Sequence, residues 1–324
     1  MALPLYQSGA QAASPRSAED DLSVAEEAFK AGRPDTGVAA LQRAADQGSL
    51  AAMLRLGRIF EEGQLVKADK LKACRLYSAA AERYSDADRF TPSAPLVAEA
   101  FRRCAACYAA GLSVPGWDRN MNMAAQLYFQ SGVMLDDSAS LLELSKLYLT
   151  GDGAAQNTTL AIHLLETAAR KRYPPAQAYL GWLMWEGKLM KQRQGPGLAL
   201  LILANENAEP EDMGWIRPLV EDALLMASKE LEQEARDLVE KYKAVYPAKR
   251  QSAPPLGDPQ LQRQNMLLDQ VAQGEVPPPV RSPAREAKNF NFNLAKDTDH
   301  FGNQTTGAHL PPGVEPNQKL EPQR

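Results

Sequence analysis

Leu180-Gly-Trp-Leu-Met-Trp-Glu-Gly187 is the stretch of sequence that decides the fold. Related stretches are Leu56-Gly-Arg-Ile-Phe-Glu-Glu-Gly63 and Leu144-Ser-Lys-Leu-Tyr-Leu-Thr-Gly151, with a looser copy at Cys104-Ala-Ala-Cys-Tyr-Ala-Ala-Gly111. In each copy a small residue is followed six positions later by a glycine. The small residues are Gly57, Ala105, Ser145 and Gly181, which are 48, 40 and 36 positions apart. Repetition at this spacing indicates a helical-repeat protein, because each hairpin buries its apolar face only by packing against its neighbours.

The apolar periodicity predicts one A helix and one B helix in each copy. We expect the small residue to let the B helix approach closely, and the final glycine to end the A helix. The predicted pairs are Leu50–Glu62 with Leu71–Tyr84, Val97–Ala110 with Met121–Leu135, Ala139–Thr150 with Thr158–Lys171, and Ala176–Glu186 with Leu198–Asn207. Gly195-Pro-Gly197 is expected to break the chain before the last B helix. Two earlier helices, between Ala18 and Gly48, and two later ones, Met213–Ala227 and Glu230–Tyr246, are also predicted.

Three regions follow from this pattern. Residues 1–18 are polar and are expected to be disordered, although Ala10-Gln-Ala12 also has the form of a signal-peptide cleavage site. Residues 19–246 form the predicted repeat array with its capping helices. Residues 247–324 are rich in proline and are expected to be disordered, because they have too few apolar residues to offset the entropy of ordering. In that tail Asn289-Phe-Asn-Phe-Asn293 is a candidate docking motif, with a plain linker or tether as the alternative.

Charge and composition exclude several functions. The net charge of −4 and pI near 5.6 argue against a protein that binds nucleic acid or an anionic membrane through a basic surface. No apolar run approaches the roughly 20 residues that a membrane-spanning helix needs, so we expect no direct membrane insertion. The three cysteines do not define a redox compartment, because an odd number leaves one outside any set of pairs.

The residues that carry chemistry do not indicate an enzyme. Of the three histidines only His163 precedes the tail, where we expect a helix residue, with a pH sensor as the alternative. No zinc-protease, nucleophile-elbow or phosphate-loop motif occurs, so we expect no catalytic residues, no cofactor and no metal. Cys104 and Cys107 have the spacing of redox and metal motifs, but they are expected on the core side of a helix, which favours a packing role.

The pattern resembles the Sel1-like repeat, a longer relative of the tetratricopeptide repeat, over about residues 35–205. Its marks are Leu56–Gly63, the loop Gly151-Asp-Gly153 and Ala44-Ala-Asp-Gln-Gly48, and the second repeat departs most. The resemblance implies an all-α fold, a right-handed α-solenoid of Sel1-like (tetratricopeptide-type) helical hairpins with a disordered C-terminal tail.

The order of several pieces is similar to the ExoR family, the periplasmic negative regulators of exopolysaccharide production in alphaproteobacteria. These pieces are the long second loop, Met123–Gln130, Leu144–Gly153, Gly197–Ala204 and Asp212–Trp215. The resemblance implies a periplasmic protein whose partner is the sensor domain of a membrane histidine kinase, which it restrains within a two-component system. The alternative is a general scaffold that tethers envelope or cytoplasmic proteins.

The resemblance also implies where a partner binds, because A helices line the concave face of tetratricopeptide-type solenoids. We expect the residues one, four and five places after each small residue to face the groove. The predicted partner-binding residues are Arg58, Glu61, Glu62, Lys146, Trp182, Trp185 and Glu186. Tryptophan and arginine are enriched at binding hot spots. The alternative for the two tryptophans is that they pack against the closing helices.

Overall fold

The computed structural model describes residues 16–245, and all of the regular structure in that range is helical, which confirms the all-α prediction. The candidate cleavage site, the proline-rich tail and its phenylalanine motif lie outside the described residues. The helices are α1 (Ala18–Lys30), α2 (Pro34–Asp46), α3 (Leu50–Glu62), α4 (Lys70–Arg83), α5 (Ala94–Ala110), α6 (Met121–Phe129), α7 (Ser138–Thr150), α8 (Thr158–Arg170), α9 (Pro174–Glu186), α10 (Gln194–Asn207), α11 (Pro210–Met226) and α12 (Lys229–Val245). A π-helical turn, Gln130–Met134, follows α6 directly.

The described residues divide into two compact units, and the boundary between them in the sequence lies between Arg83 and Tyr84. The first unit holds α1 to α4 and the second holds α5 to α12. The division falls at the start of the segment 85–95, which the sequence marks as a longer connection than the repeat needs.

In the first unit, consecutive helices pack as pairs, α1 with α2, α2 with α3 and α3 with α4. The Ser17 hydroxyl accepts a hydrogen bond from the Asp20 N–H at 3.1 Å, and this cap starts α1. The N-cap Ser17 therefore directly precedes the first helix of the described residues. Asp21 is buried at 1% exposure and pairs with Arg43 of α2 at 2.7 Å, which ties the first two helices together.

In the second unit, three hairpins, α5–α6, α7–α8 and α9–α10, are followed by two closing helices. Ile216 and Val220 of α11 and Ala235 and Val239 of α12 are buried in one cluster with residues of α10 such as Leu203. The two closing helices thus cover the apolar face of the last hairpin, as a terminal repeat requires.

Local packing moves two predicted boundaries. Gly195-Pro-Gly197 was expected to break the chain, but α10 begins at Gln194 and includes all three residues. Pro196 is tolerated because N–H groups in the first turn of a helix have no partner within the helix. The predicted helix to Leu135 instead ends at Phe129 and continues as the π-helical turn, in which the Leu135 N–H donates to the Gln130 carbonyl at 3.1 Å. The turn lies close to α7, where a Cβ on Gly132 would be 2.9 Å from the Leu141 nitrogen.

The small residues in the A helices allow close approach of the B helices, as predicted. A Cβ on Gly57 would lie 2.4 Å from the Tyr77 ring of α4, a distance that side-chain carbons do not adopt. Gly63, Gly151 and Gly187 end α3, α7 and α9 in the left-handed region with φ of 70°, 75° and 69°, which glycine adopts without a steric penalty.

The connection from the A helix to the B helix repeats one backbone hydrogen bond. In each hairpin an N–H just before the B helix donates to the carbonyl of the residue three places after the small residue. The pairs are Asp69 to Phe60 (2.8 Å), Asn120 to Tyr108 (2.8 Å), Asn157 to Tyr148 (2.9 Å) and Arg193 to Met184 (2.9 Å). The shared bond joins the end of the A helix to the start of the B helix in all four of these hairpins, although the loop between α5 and α6 is longer than the others.

Candidate partner-binding face

The orientation of an A-helix residue follows from its distance to the small residue. Each residue turns an α-helix by about 100°, so the fourth residue after the small one lies only about 40° away from it. The first and fifth residues lie about 100° and 140° away. Because the small residue faces the B helix, the fourth position turns toward the B helix as well, and the first and fifth positions turn away from it.

In the first unit, α3 follows this geometry. Glu61, at the fourth position, accepts a hydrogen bond from the Tyr77 hydroxyl of α4 at 2.8 Å, so it faces the B helix. Glu62, at the fifth position, is exposed, and Arg58, at the first, is partly buried. Glu62 and Arg58 thus remain candidates for a groove, whereas Glu61 already holds a partner within its own hairpin.

In the second unit, Trp185 departs most from the predicted face. It is 7% exposed and packs in the cluster formed by α10, α11 and α12, so it does not face a groove. For this residue the alternative interpretation, packing against the closing helices, describes the structure. Leu149, the equivalent residue of α7, is buried for the same geometric reason.

Three predicted residues of the second unit keep partly exposed side chains. Trp182 of α9 is half-buried and packs against the edges of both apolar clusters of its unit. Lys146 forms an ion pair with Glu143 at 2.8 Å, and Glu186 forms one with Lys188 at 2.7 Å. These three residues occupy the first and fifth positions, which the helical geometry directs away from the B helices.

Sequence reasoning missed the position two residues before the small residue. It lies about 160° from the small residue, on the same side of the helix as the first and fifth positions. Glu143 of α7 and Tyr179 of α9 both hold this position. The Lys146 ammonium lies 2.8 Å from the Glu143 carboxylate and 6.0 Å from the centre of the Tyr179 ring, so it connects α7 to α9.

After burial, which is the largest cause, the Glu143 carboxylate contributes to the raised pKa of three tyrosines, Tyr128, Tyr173 and Tyr179. Burial, with the Glu143 carboxylate as the second cause, raises the pKa of Tyr128 and of Tyr179. Burial, followed by the Asp212 carboxylate, raises the pKa of Tyr173 from 10.0 to about 12. All three phenols therefore stay protonated near neutral pH and present O–H donors. We call Tyr128, Glu143, Lys146, Tyr173 and Tyr179 the Glu143 cluster.

The Tyr179 hydroxyl gives this cluster an unused donor. Tyr179 is 2% exposed, and its hydroxyl has no hydrogen-bond partner among the described residues. An unsatisfied buried polar group costs about 1–3 kcal/mol. The hydroxyl oxygen is itself buried, so an acceptor from a bound protein could reach it only if the side chains that cover it moved.

The other residues considered for chemistry are placed as follows. His163 is exposed on α8, where it was expected to be a partly buried helix residue. Cys104 is buried on α5 and Cys107 is partly buried one turn later.

Between residues 16 and 245, no group of three or more His, Cys, Asp or Glu side chains has an arrangement that could hold a metal ion. In the same range, no helix combines the length and the apolar character needed to cross a bilayer.

The successive helical hairpins share the same backbone hydrogen bond between the A helix and the B helix. This repetition defines a helical-repeat protein. A family model places it more narrowly, because the Sel1 repeat matches residues 50–85, 138–173 and 174–200. These three ranges of the chain are therefore similar to the Sel1 repeat. The matched ranges contain the hairpins α3–α4 and α7–α8 and pass over α5–α6, the hairpin whose sequence departs most from the pattern.

The chain is also similar to two curated proteins that are named as regulators. It is 26% identical over 203 residues to an exopolysaccharide production negative regulator of Rhizobium leguminosarum bv. viciae, covering 62% of this chain and 73% of the relative. It is 25% identical over 204 residues to the protein of the same name in Rhizobium meliloti (strain 1021), covering 63% and 74%.

A solved structure supports the fold. The crystal structure of a Sel1 repeat protein from Oxalobacter formigenes matches with a TM-score of 0.50 at 18% identity, covering 69% of this chain and 88% of that one.

Proposed function

We propose that this protein is a non-enzymatic negative regulator of exopolysaccharide production that acts by binding another protein. The similarity to two regulators of that name, each over about three quarters of the relative's length, supports the process. The Sel1 repeats support the mode of action, because stacked helical hairpins offer extended binding surfaces.

The proposed partner is the periplasmic sensor domain of a membrane histidine kinase, which the bound protein holds in its inactive state. We place the contact on the exposed side of α7 and α9, at the Glu143 cluster together with Trp182 and Glu186. The observation that carries this proposal is the Lys146–Glu143 ion pair, whose side chains are 22% and 40% exposed and whose ammonium lies 6.0 Å from the centre of the Tyr179 ring, between α7 and α9. Tyrosine and tryptophan are the residue types that most often dominate binding energy at interfaces.

Direct binding tests the proposal. The full chain is immobilised, and the isolated sensor domain of the kinase from the same operon or genome neighbourhood is passed over it. Lys146→Glu is expected to weaken binding by at least about tenfold, because it places a second acidic group beside Glu143 and repels the partner's complementary acceptor. Lys241→Glu makes the same charge change on the exposed side of α12 and serves as the matched control.

Two results would contradict the proposed contact. Equal loss of binding in both variants would indicate a general effect of net charge. Unchanged binding with Lys146→Glu, at wild-type stability, would place the contact elsewhere on the protein. If the wild-type chain did not bind the sensor domain at all, the kinase would be excluded as the partner.

We also propose that the protein acts in the periplasm, since restraint of a sensor domain requires both proteins in the same compartment. Fractionation of the native bacterium tests this directly. Release of the chain with periplasmic markers on osmotic shock is the expected outcome, and retention with cytoplasmic markers would contradict it.

A further inference from the structure

An apolar pocket of about 260 Å³ lies between the π-helical turn, α7 and α8. Its wall includes Val133 from the π-helical turn, Leu141 and Leu144 from α7 and Leu160 from α8. His163 and Thr167 of α8 add polar groups at its edge. It lies on the B-helix side of the hairpin and contains no residue of the Glu143 cluster, so it is a separate site.

The π-helical turn places apolar side chains in solvent beside this pocket. Val133 and Met134 are 36% and 38% exposed, and Val133 also lines the pocket. An apolar cavity that opens next to exposed apolar side chains is a typical binding site for a protein segment. π-helical turns within α-helices are frequently found at functional sites.

We propose that Asn289-Phe-Asn-Phe-Asn293 of the same chain binds in this pocket and inserts one phenylalanine ring. The pocket is smaller than the roughly 300–1,000 Å³ of a typical small-molecule site, and a single aromatic side chain fits its size better. Tyr246, Phe290, Phe292 and Phe301 are the aromatic residues that follow Val245 in the sequence. Of these four residues, Phe290 and Phe292 lie together in one short segment.

The alternation of residue types matches the pocket. Phenylalanines at every second position point to one side of an extended segment, and the asparagines between them point to the other. The rings would contact Val133 and Leu160, and the amides would lie near the polar edge formed by His163 and Thr167.

The chain between Val245 and Phe290 is long enough for the phenylalanine segment to reach the pocket. The last described residue, Val245, ends α12 in the same unit as the pocket, and Phe290 lies 45 residues further along. A chain of 45 residues can span at most about 150 Å. The helix pairs between α12 and α8 span roughly 30 Å at 8–10 Å per packed layer. Attachment within one chain also raises the local concentration of the segment, so a weak contact is sufficient.

Photocrosslinking in the full chain tests the proposal. A benzoylphenylalanine is introduced in place of Val133, and the crosslinked peptides are identified by mass spectrometry. The expected product joins the π-helical turn to the peptide that contains Asn289–Asn293. A probe in place of Leu225, which is 87% exposed on α11, is the control and should not give that product.

Two further arms make the result decisive. A mixture of isotopically light and heavy protein distinguishes a contact within one chain from a contact between two copies. The Phe290→Ser/Phe292→Ser variant should lower the crosslink yield by at least about tenfold, since each buried ring contributes more than one such factor. Phe301→Ser should leave the yield unchanged. Crosslinks to a different part of the chain, light–heavy pairs, or equal yield in the double variant would each overturn the proposal.

Discussion

Gly181 of α9 and Gly197 of α10 face each other so closely that neither has room for a side chain. A Cβ on Gly181 would lie 2.7 Å from the Gly197 carbonyl oxygen, and a Cβ on Gly197 would lie 2.8 Å from the Gly181 carbonyl oxygen. Both obstacles are backbone atoms, which cannot rotate away as a side chain can. The contact fixes the distance between the two helices of the hairpin that carries Trp182.

Gly181→Ala is expected to destabilise the protein by about 1–3 kcal/mol, because the added methyl group overpacks a closed helix contact. Gly214→Ala is the matched control, since a Cβ there meets no atom within 4 Å on α11. It is expected to be neutral or to stabilise by roughly 0.5–1 kcal/mol through higher helix propensity. Urea unfolding followed by tryptophan fluorescence measures both. Equal midpoints for the two variants would show that the contact is less closely packed than the structure indicates.

Trp182 and Trp185 are expected to respond differently to truncation. Trp185→Ala should cost about 3–5 kcal/mol, because it leaves a cavity among α9, α10 and α11. Trp182→Ala should cost less, because that ring is only half-buried, and it should weaken binding of the kinase sensor domain more than it lowers stability. Unfolding midpoints and binding constants of the two variants separate these effects. A larger loss of stability from Trp182→Ala would reverse the assignment.

The sequence predicted those features that local chemistry determines. The ends of α3, α7 and α9 were predicted because each is followed by a glycine in the left-handed region. The π-helical turn was not, because it depends on contact between Gly132 and α7 rather than on residues near it in the sequence. Likewise Gly195-Pro-Gly197 has the composition of a chain break, yet Gly197 is a helical residue that Gly181 requires.

The predicted partner-binding residues do not all lie on one side of their helices, and the reason is geometric. Lys146, Trp182 and Glu186 occupy positions that helical rotation directs away from the B helix, whereas Glu61 and Trp185 occupy the fourth position and turn toward it. That error was avoidable from sequence alone. The Glu143 cluster, in contrast, could not be recognised from the sequence, because it brings together side chains from α6, α7 and α9.

In the first unit, the buried ion pair of Asp21 with Arg43 is expected to contribute more to stability than the exposed pair of Glu26 with Arg55. Asp21→Asn should cost about 1–3 kcal/mol, since it leaves Arg43 without its charged partner at a site where Asp21 is 1% exposed. The Arg43 side chain is 48% exposed, so water compensates part of the loss. Glu26→Gln, which breaks the exposed pair with Arg55, should change stability by less than about 1 kcal/mol. Thermal unfolding of both variants is the measurement, and a larger effect for Glu26→Gln would contradict the expected order.

Tyr173 is expected to make the second unit sensitive to alkaline pH. Its pKa is raised from 10.0 to about 12 by burial and then by Asp212, so the folded protein favours the neutral phenol. A raised folded-state pKa contributes stability that is complete below the unfolded pKa and is lost as pH rises through the folded one. The loss should therefore occur between about pH 10 and 12 and amount to at most about 2–3 kcal/mol.

Urea unfolding at a series of alkaline pH values measures this loss. Tyr173→Phe should reduce the loss of stability between about pH 10 and 12, because the phenyl ring does not ionise, and the loss that remains is expected from Tyr128 and Tyr179, whose pKa values are also raised. Asp212→Asn removes the second cause of the shift and should lower the folded-state pKa of Tyr173, so the loss of stability should still begin near pH 10 but end at a lower pH and be smaller in total. The Asn side chain still offers an oxygen to the Trp215 indole N–H, which Asp212 accepts at 3.2 Å, so the local hydrogen bond is retained. If Tyr173→Phe and the wild type lost stability in parallel above pH 10, the phenol of Tyr173 would not be the group responsible.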